Sequence, residues 1–259
     1  MKQFFITATD TDAGKTFASC ALIHALTKDK KVAAFKPISA GCELIDGVLI
    51  NEDAKLLSKF ANCEQSITHI NPIAFKQPIA PHIAAKKENT QISLTQLTHH
   101  FDKVKSLNAD ITLVEGAGGW RLPLGQSSLD ALPQDGNETL NDENKRPAYQ
   151  FLSDFVKASK LQVILIVNMK LGCLNHALLT YETIKADGVD CIAWIANCAV
   201  GESMNNLSEN ISELELLLPI PKIAQFDYIA DIDEEGHEVS FYQKINLAAQ
   251  HINLAPLLV

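Results

Sequence analysis

The sequence TDTDAGKT, residues 9–16, carries the strongest structural signal in this chain. The apolar residues 4–7 before it predict a buried strand, and residues 16–26 after it repeat apolar side chains every three or four positions, as a helix does. A glycine turn between a strand and a helix binds phosphates well, because free backbone N–H groups and a helix N-terminus point at the anion. The stretch therefore predicts an α/β fold with a phosphate site after its first strand.

Three side chains of this stretch suit a nucleoside triphosphate. Gly14 lets the backbone approach closely, Lys15 can reach the β- and γ-phosphates, and Thr16 offers a hydroxyl to Mg²⁺. A GKT tripeptide also occurs by chance at ordinary helix starts, and Thr9 stands where such loops usually have glycine. The position between a strand and a helix favours phosphate binding over an ordinary helix start.

The rest of the chain alternates short apolar runs with helical patterns. Continuous apolar strands separated by helices are typical of a parallel sheet that helices cover on both faces. We therefore predict a single domain over residues 1–259, a P-loop NTPase-like three-layer sandwich with a mainly parallel central sheet. A polar insertion at about 125–147 is too long for a plain connection, and it predicts either a functional lid or a disordered excursion. The predicted strands are 4–7, 32–35, 111–114, 163–167 and 191–196, and the predicted helices are 16–26, 93–107, 148–159, 175–187 and 205–217.

Three further residues are candidates for the phosphate site. Glu115 ends a predicted strand and opens a glycine-rich turn, where an acidic residue suits Mg²⁺. Lys36 ends the second predicted strand, and Asp53 lies in the short segment NED. Each also has a purely structural interpretation: an exposed acid in a turn for Glu115, a surface charge for Lys36 and a helix N-cap for Asp53.

Six motifs follow one another along nearly the whole chain: TDT-x-x-GKT at 9–16, KP-x-x-x-G at 36–41, N-x-D at 51–53, VEGAGGW at 114–120, KLGC-x-NHA at 170–177 and W-x-AN at 194–197. GKT alone is generic, whereas VEGAGGW followed by KLGC-x-NHA is specific. Together, and in this order, the motifs resemble one family, dethiobiotin synthetase.

The resemblance implies an ATP-dependent ligase of biotin biosynthesis. In that family, one amine of 7,8-diaminopelargonate takes up CO₂ as a carbamate, ATP phosphorylates the carbamate, and the second amine closes the ureido ring of dethiobiotin. The products also include ADP and phosphate. Phosphorylation converts a poor electrophile into a mixed anhydride, and the transfer builds charge that the site must neutralise. The resemblance also implies Mg²⁺ as cofactor, ATP as co-substrate and a homodimer.

The same resemblance gives individual residues their roles. Lys15 and Lys36 are the implied catalytic residues, and Thr16, Asp53 and Glu115 are the implied Mg²⁺ ligands. The implied ATP-binding residues are Asp12, Ala13, Gly14, Lys15, Thr16, Phe17, Asp53, Glu115, Gly116, Ala117, Gly118, Asn197 and Cys198. Among them, Asn197 is implied to recognise the adenine base. The implied substrate-binding residues are Thr11, Lys36, Ser39, Ala40, Gly118, Gly172, Cys173, Leu174 and Asn175, of which the last four come from the neighbouring subunit and meet the carboxylate tail. Asn175 is also the predicted N-cap of its helix.

The chain departs from the family pattern at several positions. Ala8 stands where the family usually has glycine, and Ala40 stands where a serine often touches the substrate, so Ser39 is the candidate replacement. Cys198 replaces the aspartate that commonly follows Asn197, and residues 224–227 replace a glycine–acid–apolar–proline segment at the base. The insertion at 125–147 exceeds the family connection by roughly twenty residues.

The amino-acid composition argues against several classes of protein. With 22 Lys and Arg against 31 Asp and Glu, the net charge of −9 argues against a nucleic-acid or anionic-membrane surface. Six scattered cysteines form no CxxC pair, which argues against a zinc site or a disulfide framework. No apolar run reaches the roughly 18–20 residues of a membrane span, and we expect a cytoplasmic protein.

Three alternatives remain open at this point. A ParA/MinD-like switch ATPase shares the expected fold, but such proteins usually carry an extra lysine early in the loop, and residues 9–13 have none. A related ATP-dependent ligase or amidotransferase could act on another small acid. The third alternative is a non-catalytic homologue. The presence of Lys15, Lys36 and Glu115 argues against it.

Overall fold

The structure, a computed structural model, describes residues 1–126, 149–199, 201, 204–233 and 235–259. In chain order its strands are β1 (Lys2–Ala8), β2 (Val32–Phe35), β3 (Ile38–Ser39), β4 (Glu43–Ile45), β5 (Val48–Ile50), β6 (Ile73–Ala74), β7 (Ile111–Glu115), β8 (Pro123–Gln126), β9 (Tyr149–Phe151), β10 (Gln162–Asn168), β11 (Cys191–Asn197) and β12 (Lys222–Phe226). Its helices are α1 (Lys15–Leu26), α2 (Glu52–Phe60), α3 (Ile67–Ile70), α4 (Pro81–Lys87), α5 (Leu94–Lys105), α6 (Leu152–Ala158), α7 (Cys173–Ala186), α8 (Leu207–Leu217), α9 (Phe241–Ala249) and α10 (Ala255–Leu258).

A six-stranded parallel sheet forms the centre of the fold, in the order β12-β11-β10-β1-β7-β2. The predicted mainly parallel sheet flanked by helices is therefore confirmed. The phosphate loop follows β1, which lies between β10 and β7, so residues after all three strands meet at one edge of the sheet. The single-domain organisation stays a prediction.

Both faces of the sheet are buried, which explains why most of its strands are largely apolar. Along β1, Phe4 and Ile6 belong to one hydrophobic cluster while Phe5 belongs to the other, because successive side chains of a strand point to opposite faces. Helices α1, α2 and α9 contribute to the cluster around Phe4, and α5, α6 and α7 to the cluster around Phe5. The layers are thus helix, sheet and helix.

One predicted helix differs from the structure, and one strand of the central sheet was not predicted. The predicted helix at 148–159 is wrong at residues 149–151, which pair antiparallel with β8, so that the helix begins only at Leu152. The Asp154 carboxylate accepts a hydrogen bond from the Phe151 N–H at 2.8 Å, which fixes that later start. The sixth strand, β12, was not predicted. Most of the polar insertion at 125–147 lies outside the described residues.

Within the part of the chain that the structure describes, no helix combines the length and the apolar character needed to cross a membrane.

Candidate active site

A cavity of about 1100 Å³ lies at the carboxyl edge of the sheet and gathers most of the predicted site residues. Its lining combines the phosphate loop with residues that follow β2, β7 and β11. The predicted residues found there are Thr11, Asp12, Gly14, Lys15, Thr16, Phe17, Lys36, Ser39, Ala40, Asp53, Glu115, Gly116, Ala117, Gly118, Asn197 and Cys198. Ala13 and the segment 172–175 do not line this cavity.

At position 14 the backbone of the phosphate loop has a conformation that glycine adopts without strain. This residue has φ +80° at the N-cap of α1, and an added Cβ would lie 2.1 Å from Nδ2 of Asn197. Asn197 itself is held in place, because its Nδ2 donates a hydrogen bond of 2.8 Å to the Ala13 carbonyl. The end of β11 thus packs directly against the phosphate loop.

Lys15 is a buried cation at the start of α1. Its Nζ lies 3.5 Å from the Asp10 carbonyl oxygen, a long and weak contact. Burial lowers the pKa of Lys15, while Glu115 pulls its pKa in the opposite direction. The side chain is therefore a desolvated ammonium with little competition from hydrogen-bond acceptors, which suits contact with a phosphate.

Lys36 joins two acidic residues at the centre of the cavity. Its Nζ lies 2.6 Å from Oε1 of Glu115 and 2.9 Å from Oδ2 of Asp53. Thr16 Oγ1 donates a 3.0 Å hydrogen bond to the same Oε1 of Glu115. Burial opposes the charge on Lys36, but Glu115 and Asp53 outweigh burial and raise the pKa of Lys36. Burial likewise works to raise the pKa of Asp53, yet Lys36 beside it holds that pKa below its usual value. Lys36 and Asp53 are therefore both charged.

The acidic residues present oxygen atoms that suit a hard cation. Glu115 is fully buried, and its Oε2 is one of the buried side-chain atoms with no hydrogen-bond partner among the described residues. Carboxylate and hydroxyl oxygens are the ligands that Mg²⁺ prefers. Thr16, Asp53 and Glu115 therefore fit the metal that the sequence motifs imply.

Helix α2 brings Asp53 to the cavity, and the N-cap interpretation of Asp53 is wrong. Asn51 caps the helix instead, because its Oδ1 accepts a hydrogen bond of 3.3 Å from the Ala54 N–H. Asp53 lies in the first turn and faces Lys36. The cap at Asn51 thus leaves the Asp53 carboxylate available for the site.

The glycine-rich turn after β7 is fixed at both ends. Gly116 lies so close to β1 that an added Cβ would be 2.7 Å from the ring of Phe5. At the other end, Trp120 Nε1 and Arg121 Nη2 each donate a 2.7 Å hydrogen bond to the carboxylate of Asp187. Asp187 is the C-cap residue of α7, so this helix determines where the turn lies.

Ser39 does not offer a free hydroxyl beside Ala40. It is 2% exposed, and its Oγ donates a 2.6 Å hydrogen bond to Oδ1 of Asn71. Asn71 in turn donates from Nδ2 to the Lys36 carbonyl at 2.7 Å. Ser39 therefore stabilises the turn after β2, and its role as a substrate ligand stays a prediction.

The segment 172–175 begins α7 away from the cavity of its own chain. Gly172, with φ +94°, is the N-cap and the helix starts at Cys173, so the prediction that Asn175 caps this helix is wrong. Glycine takes the cap because the backbone there is left-handed. Asn175 lies exposed in the first turn, and the assignment of this segment to a neighbouring subunit stays a prediction.

Several cavity residues were not predicted, and half of them belong to the last third of the chain. Asp227, Tyr228, Phe241 and Lys244 line the side of the cavity near Asn197. The missed signal is the capping box of α9, in which Ser240 and Gln243 cap each other. The ring of Phe17 packs edge-on against Phe226 at 5.6 Å and Phe241 at 6.2 Å, so α9 provides an apolar wall for this region.

Comparison with known proteins identifies the family. The sequence profile of the AAA domain family matches residues 2–132 and 143–236. The ATP-dependent dethiobiotin synthetase BioD of Alteromonas mediterranea is 42% identical over 238 residues, which are 90% of this chain and 95% of that protein. The protein of the same name from Pseudoalteromonas translucida is 40% identical over 246 residues, 95% of this chain and 96% of the relative. The chain belongs to the dethiobiotin synthetase family.

Two solved structures share the fold of this chain. MinD in a MinC:MinD cell division complex from Aquifex aeolicus aligns with a TM-score of 0.52 at 13% identity, covering 97% of this chain and 92% of that one. The septum site-determining protein MinD from Pyrococcus horikoshii, complexed with Mg-ADP, aligns with a TM-score of 0.51 at 16% identity. The alignment covers 95% of this chain and 94% of that one. At these identities the likeness concerns the fold alone, and it confirms the predicted fold class.

Proposed function

We propose that this chain catalyses the ATP-dependent carboxylation and ring closure of 7,8-diaminopelargonate with CO₂, giving dethiobiotin, ADP and phosphate. The observation that carries the proposal is the contact of Lys36 with Asp53 and Glu115 directly beside the phosphate loop. This arrangement places a cation where a carbamate and a γ-phosphate can meet. Relatives named dethiobiotin synthetase over nine-tenths of the chain favour this reaction over that of a switch ATPase.

The first step makes an anion that needs a cationic neighbour. The lone pair of one amine attacks the carbon of CO₂, and loss of a proton leaves a carbamate. Lys36 is the buried cation of the cavity wall, and its paired carboxylates keep it protonated. We assign it to the carbamate oxygens, because a fixed charge in a desolvated site stabilises a developing anion strongly.

The second step transfers the phosphoryl group. A carbamate oxygen attacks the γ-phosphorus, the bond to the β-phosphate oxygen breaks, and ADP leaves. Lys15 and the backbone N–H groups at the start of α1 meet the β- and γ-phosphates, and Gly14 allows that close approach. We assign Thr11 and Gly118 to the substrate side, since both line the same cavity.

The third step closes the ring and needs protection from water. The second amine attacks the carbamoyl carbon, the C–O bond to the phosphate breaks, and phosphate leaves while the amine loses a proton. Pro78, Ile79, Ala80 and Pro81 contribute apolar surface to the cavity beside Ala40. Such surface limits hydrolysis of the mixed anhydride before the amine reacts.

We also propose Mg²⁺ as the metal partner of ATP, with Thr16, Asp53 and Glu115 as its ligands. The free Oε2 of buried Glu115 supports this assignment. No group of three or more His, Cys, Asp or Glu side chains in the described residues is placed to hold a metal, so phosphate oxygens and water complete the coordination. When bound, the metal neutralises charge on the phosphates.

A homodimer is the proposed assembly, in which the segment 172–175 of one subunit meets the carboxylate tail of the substrate in the other. The exposed Asn175 and Leu171, the latter 92% exposed, support a role for this surface outside the subunit's own core. A cytoplasmic location is also proposed. Its support is that all six cysteines are free thiols.

Phosphate release tests the proposed reaction. We expect release of phosphate from ATP only when both 7,8-diaminopelargonate and bicarbonate are present, together with dethiobiotin detectable by mass spectrometry. A switch ATPase would release phosphate without either compound. Equal rates with and without the diamine, or phosphate release without dethiobiotin, would contradict the proposal.

A further inference from the structure

Two charged residues of the family motifs have no role in the proposed mechanism, and they contact each other. Lys170 Nζ lies 2.6 Å from Oδ2 of Asp10, although the two residues are 160 positions apart. Asp10 belongs to the phosphate loop, and Lys170 lies two residues beyond the end of β10. The ion pair therefore links the phosphate loop to the carboxyl end of the neighbouring strand.

Lys170 is itself firmly anchored. Its N–H donates a 3.0 Å hydrogen bond to the Asn168 carbonyl, and its carbonyl accepts a 2.9 Å hydrogen bond from the Cys173 N–H. The backbone from which the lysine side chain extends is thus held between β10 and α7. A fixed backbone makes the ammonium a fixed attachment point for the loop.

Asp10, in the phosphate loop, contacts three other residues. Its Oδ2 accepts from Lys170, and its Oδ1 accepts a 2.8 Å hydrogen bond from the Thr11 N–H. The Asp10 carbonyl is also the nearest acceptor of Lys15 Nζ, at 3.5 Å. A change in the orientation of Asp10 would therefore move the carbonyl oxygen that contacts Lys15.

The loop has an uncommon backbone conformation that its contacts hold. Asp12 has φ +57°, a left-handed conformation that most residues other than glycine avoid and that aspartate adopts occasionally. Two further hydrogen bonds hold the start of the loop to β10: the Thr9 N–H donates to Ile166 at 3.0 Å, and the Asn168 N–H donates to Thr9 Oγ1 at 3.2 Å. The Asp10–Lys170 pair is the next attachment along the same loop.

A plain surface ion pair is the competing explanation. Lys170 and Asp10 are 42% and 43% exposed, close to the 38% and 55% of the Lys105–Asp102 pair on α5. Pairs this exposed contribute only about 0–1 kcal/mol to folding. The two pairs differ in location, since Asp10 alone lies in a ligand-binding loop. Any specific role of Lys170 should therefore change nucleotide binding and leave the stability of the fold nearly the same.

We propose that Lys170 is a positioning residue which, through Asp10, holds the phosphate loop and Lys15 in the geometry that receives the phosphates of ATP. The inference deepens the proposed function and rests on it only in taking ATP as the ligand of this loop. Lys170 does not line the cavity in which the reactants would bind.

Nucleotide affinity and steady-state kinetics test this role. Lys170→Met and Asp10→Asn are each expected to raise the dissociation constant of ATP and the KM for ATP about three- to fivefold, the upper range for an exposed pair. The kcat and the melting temperature should stay near those of the unaltered protein. Lys170→Arg should bind ATP normally, and Lys170→Met combined with Asp10→Asn should be no weaker than either alone. Lys105→Met is the matched control and should leave the affinity for ATP unchanged.

Three results would overturn the inference. The affinity for ATP could remain unchanged in Lys170→Met, the Lys105→Met control could weaken binding equally, or Lys170→Met could raise the KM for the diamine instead of ATP. The last result would make Lys170 a substrate contact. Failure of the unaltered protein to bind ATP would contradict the proposed function itself, so the two failures are distinguishable.

Discussion

Gly14 shows how much of the site depends on one residue. Replacing it with alanine adds a Cβ at 2.1 Å from Asn197 Nδ2 and forces a side chain into φ +80°. The left-handed backbone alone costs an alanine roughly 1–2 kcal/mol. The contact with Asn197 adds a second effect, because moving Asn197 breaks its hydrogen bond to Ala13 and releases the phosphate loop.

Gly14→Ala should therefore weaken ATP binding at least about tenfold, which corresponds to 1.4 kcal/mol. Gly47→Ala is the matched control, since Gly47 has φ +79° but nothing within 4 Å of an added Cβ. Gly14→Ala should lose more stability than Gly47→Ala in urea unfolding, because it also breaks the Asn197–Ala13 hydrogen bond, and only Gly14→Ala should lose affinity in a titration with ATP. Equal loss of affinity in both would show that the contact with Asn197 is irrelevant.

Lys36 has a structural role as well as the proposed catalytic one. Lys36→Met leaves the fully buried Glu115 without its cation, and breaking a buried pair typically costs 3–5 kcal/mol. We expect about 3 kcal/mol, measured by urea unfolding without nucleotide, because Asp53 is partly exposed and water can solvate it. Turnover should fall at least about a hundredfold, as for the loss of a group that stabilises transition-state charge.

Combining Lys36→Met with Glu115→Gln tests the structural role of Lys36. The second change removes the buried charge, so most of the stability should return. Turnover should stay low, because both the proposed catalytic cation and a proposed Mg²⁺ ligand are then missing. Recovery of both stability and turnover would show that Lys36 serves only to neutralise Glu115. Recovery of neither would mean that packing around Lys36, and not charge, holds the site together.

The residue types of this site were predictable from the sequence, but their contacts were not. Lys36 and Glu115 are 79 positions apart, and Asn197 and Ala13 are 184 apart. Only the order of strands in the sheet brings such residues together, and no local pattern records that order. For the same reason the sequence did not indicate that Ser39 donates its hydroxyl to Asn71.

At the scale of elements, α7 positions the glycine-rich turn through Asp187. Asp187→Ala leaves Trp120 Nε1 and Arg121 without their acceptor, and hydrogen bonds to charged groups contribute about 1.5–3 kcal/mol each. We expect a loss of stability at the lower end of that range, since Arg121 can be solvated by water. Turnover should fall and ATP affinity should hold, because the turn carries Gly118 on the proposed substrate side.

Asp102→Ala provides the control for this change, because Asp102 forms an exposed ion pair with Lys105 within α5 and not with the turn. It should alter neither stability nor turnover measurably. Unaltered turnover in Asp187→Ala would contradict the proposal that α7 controls the turn. Reduced ATP affinity would show instead that the turn belongs to the nucleotide side.

Strands and helices were predicted correctly where one pattern of apolar residues dominates the local sequence. Five strands of the sheet are continuously apolar and were found, whereas β12 is interrupted by Lys222 and the exposed Gln225 at the edge of the sheet. The short β9 was taken for helix because the helical pattern of α6 follows it without a break. Its strand conformation depends on pairing with β8, which is a tertiary contact and not a local one.

At the scale of the whole molecule, the proposed homodimer makes a prediction that a monomer cannot satisfy. The cavity of each chain contains Lys36 but not the segment 172–175, so a complete site would combine two subunits. Asn175→Asp places a negative charge near the proposed carboxylate tail and should raise the KM for the diamine. It should not unfold α7, because an acid in the first turn of a helix is favourable.

Mixing two variants tests the shared site, in assays at a diamine concentration far below the raised KM of Asn175→Asp, where each variant alone has little activity. In a mixed dimer of Lys36→Met and Asn175→Asp, one site carries both changes and the other carries neither, because the two changes lie on different subunits. Random exchange makes half of the dimers mixed, so about a quarter of the unaltered activity should return after unfolding and refolding the variants together. The same variants refolded separately and then assayed together are the control, and they should show only the little activity of the separate variants. If the mixture stays this low although native mass spectrometry of differently tagged subunits shows mixed dimers, each subunit holds a complete site of its own.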